Sequence, residues 1–268
     1  MLEIEGAAMS VHVSGPPSGR RRRGAAVCGA AALGLLAAGA AGCAAVTAGP
    51  TDQTDQHSSY QHTISKVELT VDSGNISLSA GNSGAESISA HLEWNKTKPS
   101  VSESWSGSTL VIKSSCPSQS HCSVDFTVQV PAGTEVSSRT TDGDLSVQDL
   151  TGGLDATVGT GDVNLAGVGG RIQVGSDTGT VTGTELAAGA VTVHGDTGDV
   201  SLGFANAPDT VSAVTSTGNV TVSVPGGSAG YQVTAEAQTG QRTVSVPVDS
   251  GSSHTITART GDGDVTVS

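Results

Sequence analysis

From position 64 onward, hydrophobic and polar residues alternate in short stretches separated by glycine-rich corners. The stretches "KVELTVDSGNISLSA" and "VDFTVQVP" are early examples. Alternation with a period of two predicts strands that bury one face. Val, Thr, Gly, Ser and Asp dominate, and this composition favours strands and turns over helices. We therefore expect an all-β fold with a narrow aliphatic core.

A repeat becomes regular after Thr140. Its corner glycines are spaced 18, 18, 19 and 20 residues apart, with two looser members after them: Gly143, Gly161, Gly179, Gly198, Gly218, then Gly240 and Gly263. Within one period, Leu154, Ala156 and Val158 alternate before the corner, and Val163 and Leu165 alternate after it. A repeat of this kind predicts stacked units that bury a continuous core.

The predicted fold is a β-solenoid, a parallel β-helix-like stack of two-strand coils with a period of about 18–22 residues. The alternative is an antiparallel β meander or sandwich, because corner sequences such as "TGDV" also suit hairpin turns.

The first 42 residues have a different character. Arg20–Arg23 form a basic cluster, and an apolar run of small residues follows up to Cys43. This order is typical of an export signal that is removed. A transmembrane helix is the alternative, since 24–48 carries no charge and is long enough to span. Met9 is an alternative start to Met1.

The sequence "AAGC" at the end of this run resembles the lipobox of bacterial lipoproteins. That resemblance implies that Cys43 becomes the lipidated first residue of the mature chain. Ala40 stands where that family favours leucine. We expect residues 1–42 to be a lipoprotein signal peptide, with the protein anchored by lipid to the outer face of the cytoplasmic membrane.

Two further cysteines, Cys116 and Cys122, lie in "CPSQSHC". In an oxidising compartment such a pair is expected to form a disulfide. A metal site that includes His121 would have only three ligands and lacks the usual zinc spacing.

The mature chain is strongly acidic. Four of the 12 Lys and Arg residues and two of the 25 acids precede Cys43, so the remainder carries a formal charge of about −15. Nucleic acid and anionic lipid headgroups are therefore poor partners.

Residues 43–63 are polar and patternless, which predicts a flexible tether. We expect 64–268 to form the β-repeat domain, with a less regular entry region over 64–138 and regular repeats over 139–268.

The stretch "VDFTVQVPAGTEVSSRTTDGDLSVQDLTGGLDATVGTGDVNLAGVGG", with the later "TGDV" steps, resembles the bacterial DUF4097 family of adhesin-like β-repeat proteins. The resemblance covers about residues 64–268, and the residue bias together with the lipobox resembles actinobacterial lipoproteins. It implies a β-repeat fold and an adhesin-like role, and it supplies no catalytic residues.

Two motifs suggest chemistry. In a stacked fold, the corner acids Asp144, Asp162, Asp199 and Asp264, with Asn219, would form a column of weak Ca²⁺ candidates. Thr180 interrupts this column, and the calcium-binding β-roll repeat is absent, so solvated turn residues are the simpler interpretation.

The second motif is a GxSxG sequence at Gly226–Gly230, followed by Asp249 and His254 in the chain order of α/β-hydrolases. The strand-to-helix turn that such a nucleophile needs is missing. We expect His194 and His254 to be surface strand residues.

The sequence as a whole predicts a non-enzymatic binding or structural module at the cell surface, without a cofactor. Its partners would be the membrane, through the lipid anchor, and a cell-wall polymer, matrix or protein ligand. The alternatives are an envelope-stress sensor or accessory protein and, more remotely, a serine hydrolase that uses Ser228.

Overall fold

The computed structural model describes residues 51–60, 63–81, 86–117, 121–226 and 230–268. These residues contain 21 strands and no helix. In chain order the strands are β1 (Asp52–Tyr60), β2 (Lys66–Ser73), β3 (Ile76–Gly81), β4 (Glu86–Trp94), β5 (Ser100–Ser106), β6 (Thr109–Ser115), β7 (Cys122–Pro131), β8 (Glu135–Asp142), β9 (Leu145–Gln148), β10 (Leu154–Thr160), β11 (Val163–Ala166), β12 (Arg171–Thr178), β13 (Val181–Leu186), β14 (Ala190–Thr197), β15 (Val200–Phe204), β16 (Thr210–Thr217), β17 (Val220–Ser223), β18 (Gln232–Thr239), β19 (Arg242–Val244), β20 (Thr255–Asp262) and β21 (Val265–Val267).

The strands form two sheets. The eleven-stranded sheet has the order β1-β4-β7-β3-β9-β11-β13-β15-β17-β21-β19, and the ten-stranded sheet has the order β18-β20-β16-β14-β12-β10-β8-β2-β6-β5. A coil consists of one strand from the ten-stranded sheet, a corner, and the next strand in the eleven-stranded sheet. The sequence pattern fits this arrangement, because buried and outward-facing residues alternate along the strands of the repeat, such as β10 and β11.

Successive coils pair in parallel and in register. Val163 of β11 lies opposite Leu145 on one side and Val181 on the other. Antiparallel pairing among the described residues is confined to one end, where β4 joins β1 and β7, and β5 joins β6. The solenoid prediction is therefore confirmed, and the antiparallel alternative is wrong for the repeat region.

Spatial order departs from chain order at both ends of the stack. The β2/β3 coil lies between the later β6/β7 and β8/β9 coils, and β20/β21 lies between β16/β17 and the earlier β18/β19 coil. The two looser repeat members therefore stack in reverse order, with Gly263 before Gly240. We call the end formed by β1, β4 and β5 the head, and the end formed by β18 and β19 the tail.

The corner glycines form a ladder through the stack. Gly161 has a φ of 143°, and a Cβ there would lie 2.2 Å from the carbonyl oxygen of Gly143 in the previous coil. Neither the dihedral nor the space accepts a side chain. The same geometry recurs at the other ladder positions, Gly143, Gly179, Gly198, Gly218, Gly263 and Gly240. The ladder also includes Gly74, so a regular coil occurs inside the region predicted to be irregular.

The predicted tether is wrong for residues 52–60, which form β1. This strand pairs with β4 over its whole length, from Asp52 opposite Trp94 to Tyr60 opposite Glu86. The backbone groups of these residues find partners in β4, so a polar sequence without apolar alternation still forms a strand here.

Candidate binding face

A single row of small polar side chains crosses the outer surface of the eleven-stranded sheet. It follows the cross-strand register from one edge to the other: His57, Ser89, Thr127, Ser77, Ser146, Asn164, Thr182, Ser201, Thr221, Thr266 and Thr243. Each member lies between two inward positions of its strand and is exposed or half-buried. With neighbouring strands about 4.8 Å apart, the row spans about 50 Å. We call it the hydroxyl row.

The hydroxyl row contains no Asp, Glu, Lys or Arg, although the chain is strongly acidic. Charged side chains of the same sheet, such as Asp55, Glu93 and Asp125, lie on other outward positions beside the row. On the ten-stranded sheet, by contrast, the outward row that contains Thr157 includes charges of both signs, namely Lys113, Arg139, Arg259 and Glu236. Sequence reasoning missed the row. Its signal was the polar residue one place after the first aliphatic of each repeat, such as Asn164 after Val163.

The predicted calcium column lies along one border of this face, and its side chains bond to the backbone. The Asp144 carboxylate accepts a hydrogen bond from the backbone N–H of Asp162 at 2.8 Å, and Asp199 accepts one from Asn219 at 2.7 Å. Asp264 does the same for Gln241 at 2.7 Å. Among the described residues, no group of three or more His, Cys, Asp or Glu side chains is arranged to hold a metal ion.

A disulfide joins Cys116 and Cys122 across the corner of the β6/β7 coil. The backbone N–H of Cys116 donates to the Asp72 carboxylate at 3.1 Å. Both thiols are thus consumed in the cross-link, and the metal alternative with His121 has no thiolate ligands. A shallow, open cleft beside the disulfide is lined by Trp94, Glu93 and His121.

At the head of the stack, aromatic and acidic side chains from the two sheets contact each other and cover the end of the core. The rings of Tyr60 on β1 and Trp105 on β5 meet edge to face, with centroids 5.2 Å apart. The Tyr60 hydroxyl donates to Glu103, which also accepts from Ser58 at 3.1 Å. Burial, together with the Glu103 carboxylate, raises the pKa of Tyr60 above its ordinary value.

Asp249 and His254, which follow the GxSxG sequence, do not form the charge-relay pair of a hydrolase. The Nδ1 of His254 donates to the Pro208 carbonyl at 2.8 Å, whereas the Asp249 carboxylate accepts from the backbone N–H of Gly251 at 2.9 Å. Ser228 lies outside the described residues. His254 precedes β20 and is half-buried, so it is not the surface strand residue that was predicted, whereas His194 lies exposed on β14.

The predicted signal peptide and Cys43 also lie outside the described residues. Within the part of the chain that the structure describes, no helix has the length and apolar character needed to cross a membrane.

Comparison with known proteins identifies the family of this chain. A family model described as Toastrack DUF4097 matches residues 59–268. The chain is similar to the solved structure of a "putative cell adhesion protein" from Clostridium sporogenes ATCC 15579, with 11% identity, a TM-score of 0.38, and 81% of this chain and 99% of that one covered. A "putative adhesin" from Bacteroides fragilis NCTC 9343 has 13% identity and a TM-score of 0.39, with 82% and 97% covered. Comparison with curated proteins finds no match. Because the family model spans most of the sequence, the chain belongs to the Toastrack DUF4097 family.

Proposed function

We propose that this protein is a binding module on the outer side of the cytoplasmic membrane, anchored there by lipid at Cys43. We propose that the hydroxyl row contacts a neutral, hydroxyl-rich polymer such as a cell-wall or matrix polysaccharide. The observation that carries the proposal is the unbroken run of polar side chains from His57 to Thr243, which contains no Asp, Glu, Lys or Arg.

The chemistry of the row favours a repeating ligand. A hydroxyl group both donates and accepts hydrogen bonds, as do the hydroxyls of a sugar. One such bond contributes only about 1 kcal/mol net, because water competes for both partners. Useful affinity therefore requires many contacts at once, and a polymer that follows the row supplies them on one molecule.

Charge narrows the ligand class further. The part of the chain from Cys43 onward has a formal charge near −15, and it repels polyanions at long range. A polycation would be drawn to the corner acids and not to the uncharged row. A neutral polymer is neither repelled by the net charge nor attracted to the corner acids, so hydrogen bonds and packing contacts decide where it binds.

We further propose that binding occurs without catalysis. The hydroxyls of the row lie on outward strand positions, and the row holds one histidine, His57, whose Nδ1 pairs with the Ser89 hydroxyl at 2.8 Å. A nucleophilic hydroxyl needs a positioned base and also a third group that orients the base, so a serine paired with a histidine is not by itself a catalytic site.

The test is retention on insoluble neutral polysaccharides, with chitin and cellulose as probes and immobilised teichoic acid as the polyanion. We expect the full chain with Cys43→Ser to be retained on a neutral polymer and not on teichoic acid. The double variant Thr182→Lys/Thr221→Lys should lose retention, because two charges interrupt the row.

The matched control places the same substitutions on the opposite sheet. Thr157 and Thr257 are also half-buried outward threonines, and they lie on β10 and β20. Thr157→Lys/Thr257→Lys should be retained like the parent. Equal loss in both double variants, or retention on teichoic acid alone, would contradict the proposal.

A further inference from the structure

One inward-facing row of the eleven-stranded sheet, at the first position of each strand after the corner, is apolar except at its two ends. The residues that share this inward register along the parallel coils are Ile76, Leu145, Val163, Val181, Val200, Val220 and Val265, all of which are buried. At the tail, Arg242 of β19 lies opposite Val265 and occupies the next position of this row. At the head, the equivalent position is Gln56 of β1, opposite Ala90.

The tail is otherwise suited to further stacking. β18 and β19 are the edge strands of their sheets, and an edge strand presents backbone groups that can pair with another chain. Val244, also on an inward position, is 37% exposed, and Val233 and Val246 are only partly buried.

The charged residue at an inward position of the head has hydrogen-bond partners within the chain, unlike the one at the tail. Glu103 holds an inward position of the edge strand β5, opposite Ile112. Its carboxylate is bonded by Tyr60 and Ser58 from the opposite sheet, so its charge is satisfied within the chain. Arg242 is exposed at the tail, where its guanidinium faces solvent.

We infer that Arg242 prevents a second copy of this chain from stacking on the tail. A second copy docked on β18 and β19 would remove the guanidinium from water, and burial of an unpaired charge is strongly unfavourable. In a tail-to-tail arrangement, the two Arg242 side chains would also repel each other.

The test is sedimentation velocity of the full chain carrying Cys43→Ser, so that lipid does not drive association. We expect the sedimentation coefficient of this parent to stay constant with concentration. Arg242→Val should raise it with concentration, because the row then ends in an apolar side chain. Arg242→Lys, which keeps the charge, should behave as the parent.

Thr243→Val is the matched control, since it adds an apolar side chain on the same strand but on the outward row. It should not associate. Adding Val244→Lys to Arg242→Val should restore the parent's behaviour and would show that association occurs at this edge. The inference is overturned if Arg242→Val sediments as the parent, if Thr243→Val associates equally, or if the parent itself associates through the tail.

Discussion

The carboxylate of Asp162 accepts a hydrogen bond from the backbone N–H of Thr180 in the next coil, at 2.8 Å. The bond crosses from one coil to the next at the corner, where the strands on either side end. Asn75 makes the same bond to the N–H of Asp144 at 2.9 Å, and Asn219 makes it to Asp264 at 2.9 Å. The recurrent Asp or Asn after the ladder glycine thus links coil to coil, and a short side-chain oxygen is the feature that the position requires.

Removing this oxygen should weaken the stack. Asp162→Ala should lower the free energy of unfolding by about 1 kcal/mol, because it removes the acceptor for the N–H of Thr180. Asp162→Asn should stay close to the parent, since an amide oxygen serves the same role at Asn75 and Asn219. Chemical denaturation measures both variants. Asp155→Ala, an exposed acid on the outer face of β10, is the control and should change little.

The glycine ladder should tolerate no side chain. Gly161→Ala should destabilise the protein by about 3 kcal/mol or more, because it combines a glycine-only dihedral with a backbone clash. Gly175 lies on the outer face of β12, and a Cβ there meets no atom within 4 Å. Gly175→Ala should therefore be neutral or slightly stabilising. Thermal melting that shows equal effects at the two positions would contradict the ladder.

The β1–β4 contact should respond to pH through His91. The Asp55 carboxylate, 2.6 Å from Nδ1, and Glu93, 3.4 Å from Nε2, raise the pKa of His91 above its ordinary value. Asp125 of β7 lies opposite His91 in register and adds a third acid. A raised folded-state pKa stabilises the fold fully below the unfolded value of about 6.5, and this contribution is lost as pH rises through the folded pKa.

Melting temperatures of the parent and of His91→Gln test this prediction, because the other titrating groups are common to both proteins. The parent should exceed the variant by more at about pH 5.5 than at about pH 8.5. The effect should be small, since His91 is exposed. A difference that is constant with pH would show that the ion pairs do not stabilise β1.

The sequence was sufficient to predict the coil but not the order of the coils. The glycine spacing and the alternation around Val163 predicted a two-strand coil, because close backbone approach at a corner leaves glycine as the only fitting residue. The Gly74 coil was missed, since β4 to β7 separate it from the main series along the chain. The reversed order of the last two coils depends on long connections, whose paths no periodic pattern encodes.

The binding face was harder to predict for a related reason. Ser, Thr and Asn are ordinary residues on any exposed strand, so Asn164 or Thr182 alone carries no signal. They become a single row only when the register aligns Asn164 with Ser146 and Thr182. β1 was missed because its residues pair through the backbone and lack apolar alternation.

Lipid anchoring should depend on Cys43. Cys43→Ser should release the protein from membranes or block its maturation, because the lipid would have no thiol to join. Fractionation of cells with detergent extraction measures this, and Cys28→Ser is the control within the same segment, which should remain anchored. Unchanged, detergent-dependent membrane association of a Cys43→Ser protein from which residues 1–42 have been removed would contradict the proposed anchor.

The most direct test of a repeating contact is how binding depends on ligand length. Soluble oligosaccharides of increasing length, prepared from the neutral polymer that retains the protein, would compete with that polymer for the full chain with Cys43→Ser. We expect the inhibitory concentration, per molecule, to fall steeply with length and to level off once the oligomer spans the row, about 50 Å. A monosaccharide or disaccharide that inhibits as well as the longest oligomer would place the ligand in a single pocket and contradict binding along the hydroxyl row.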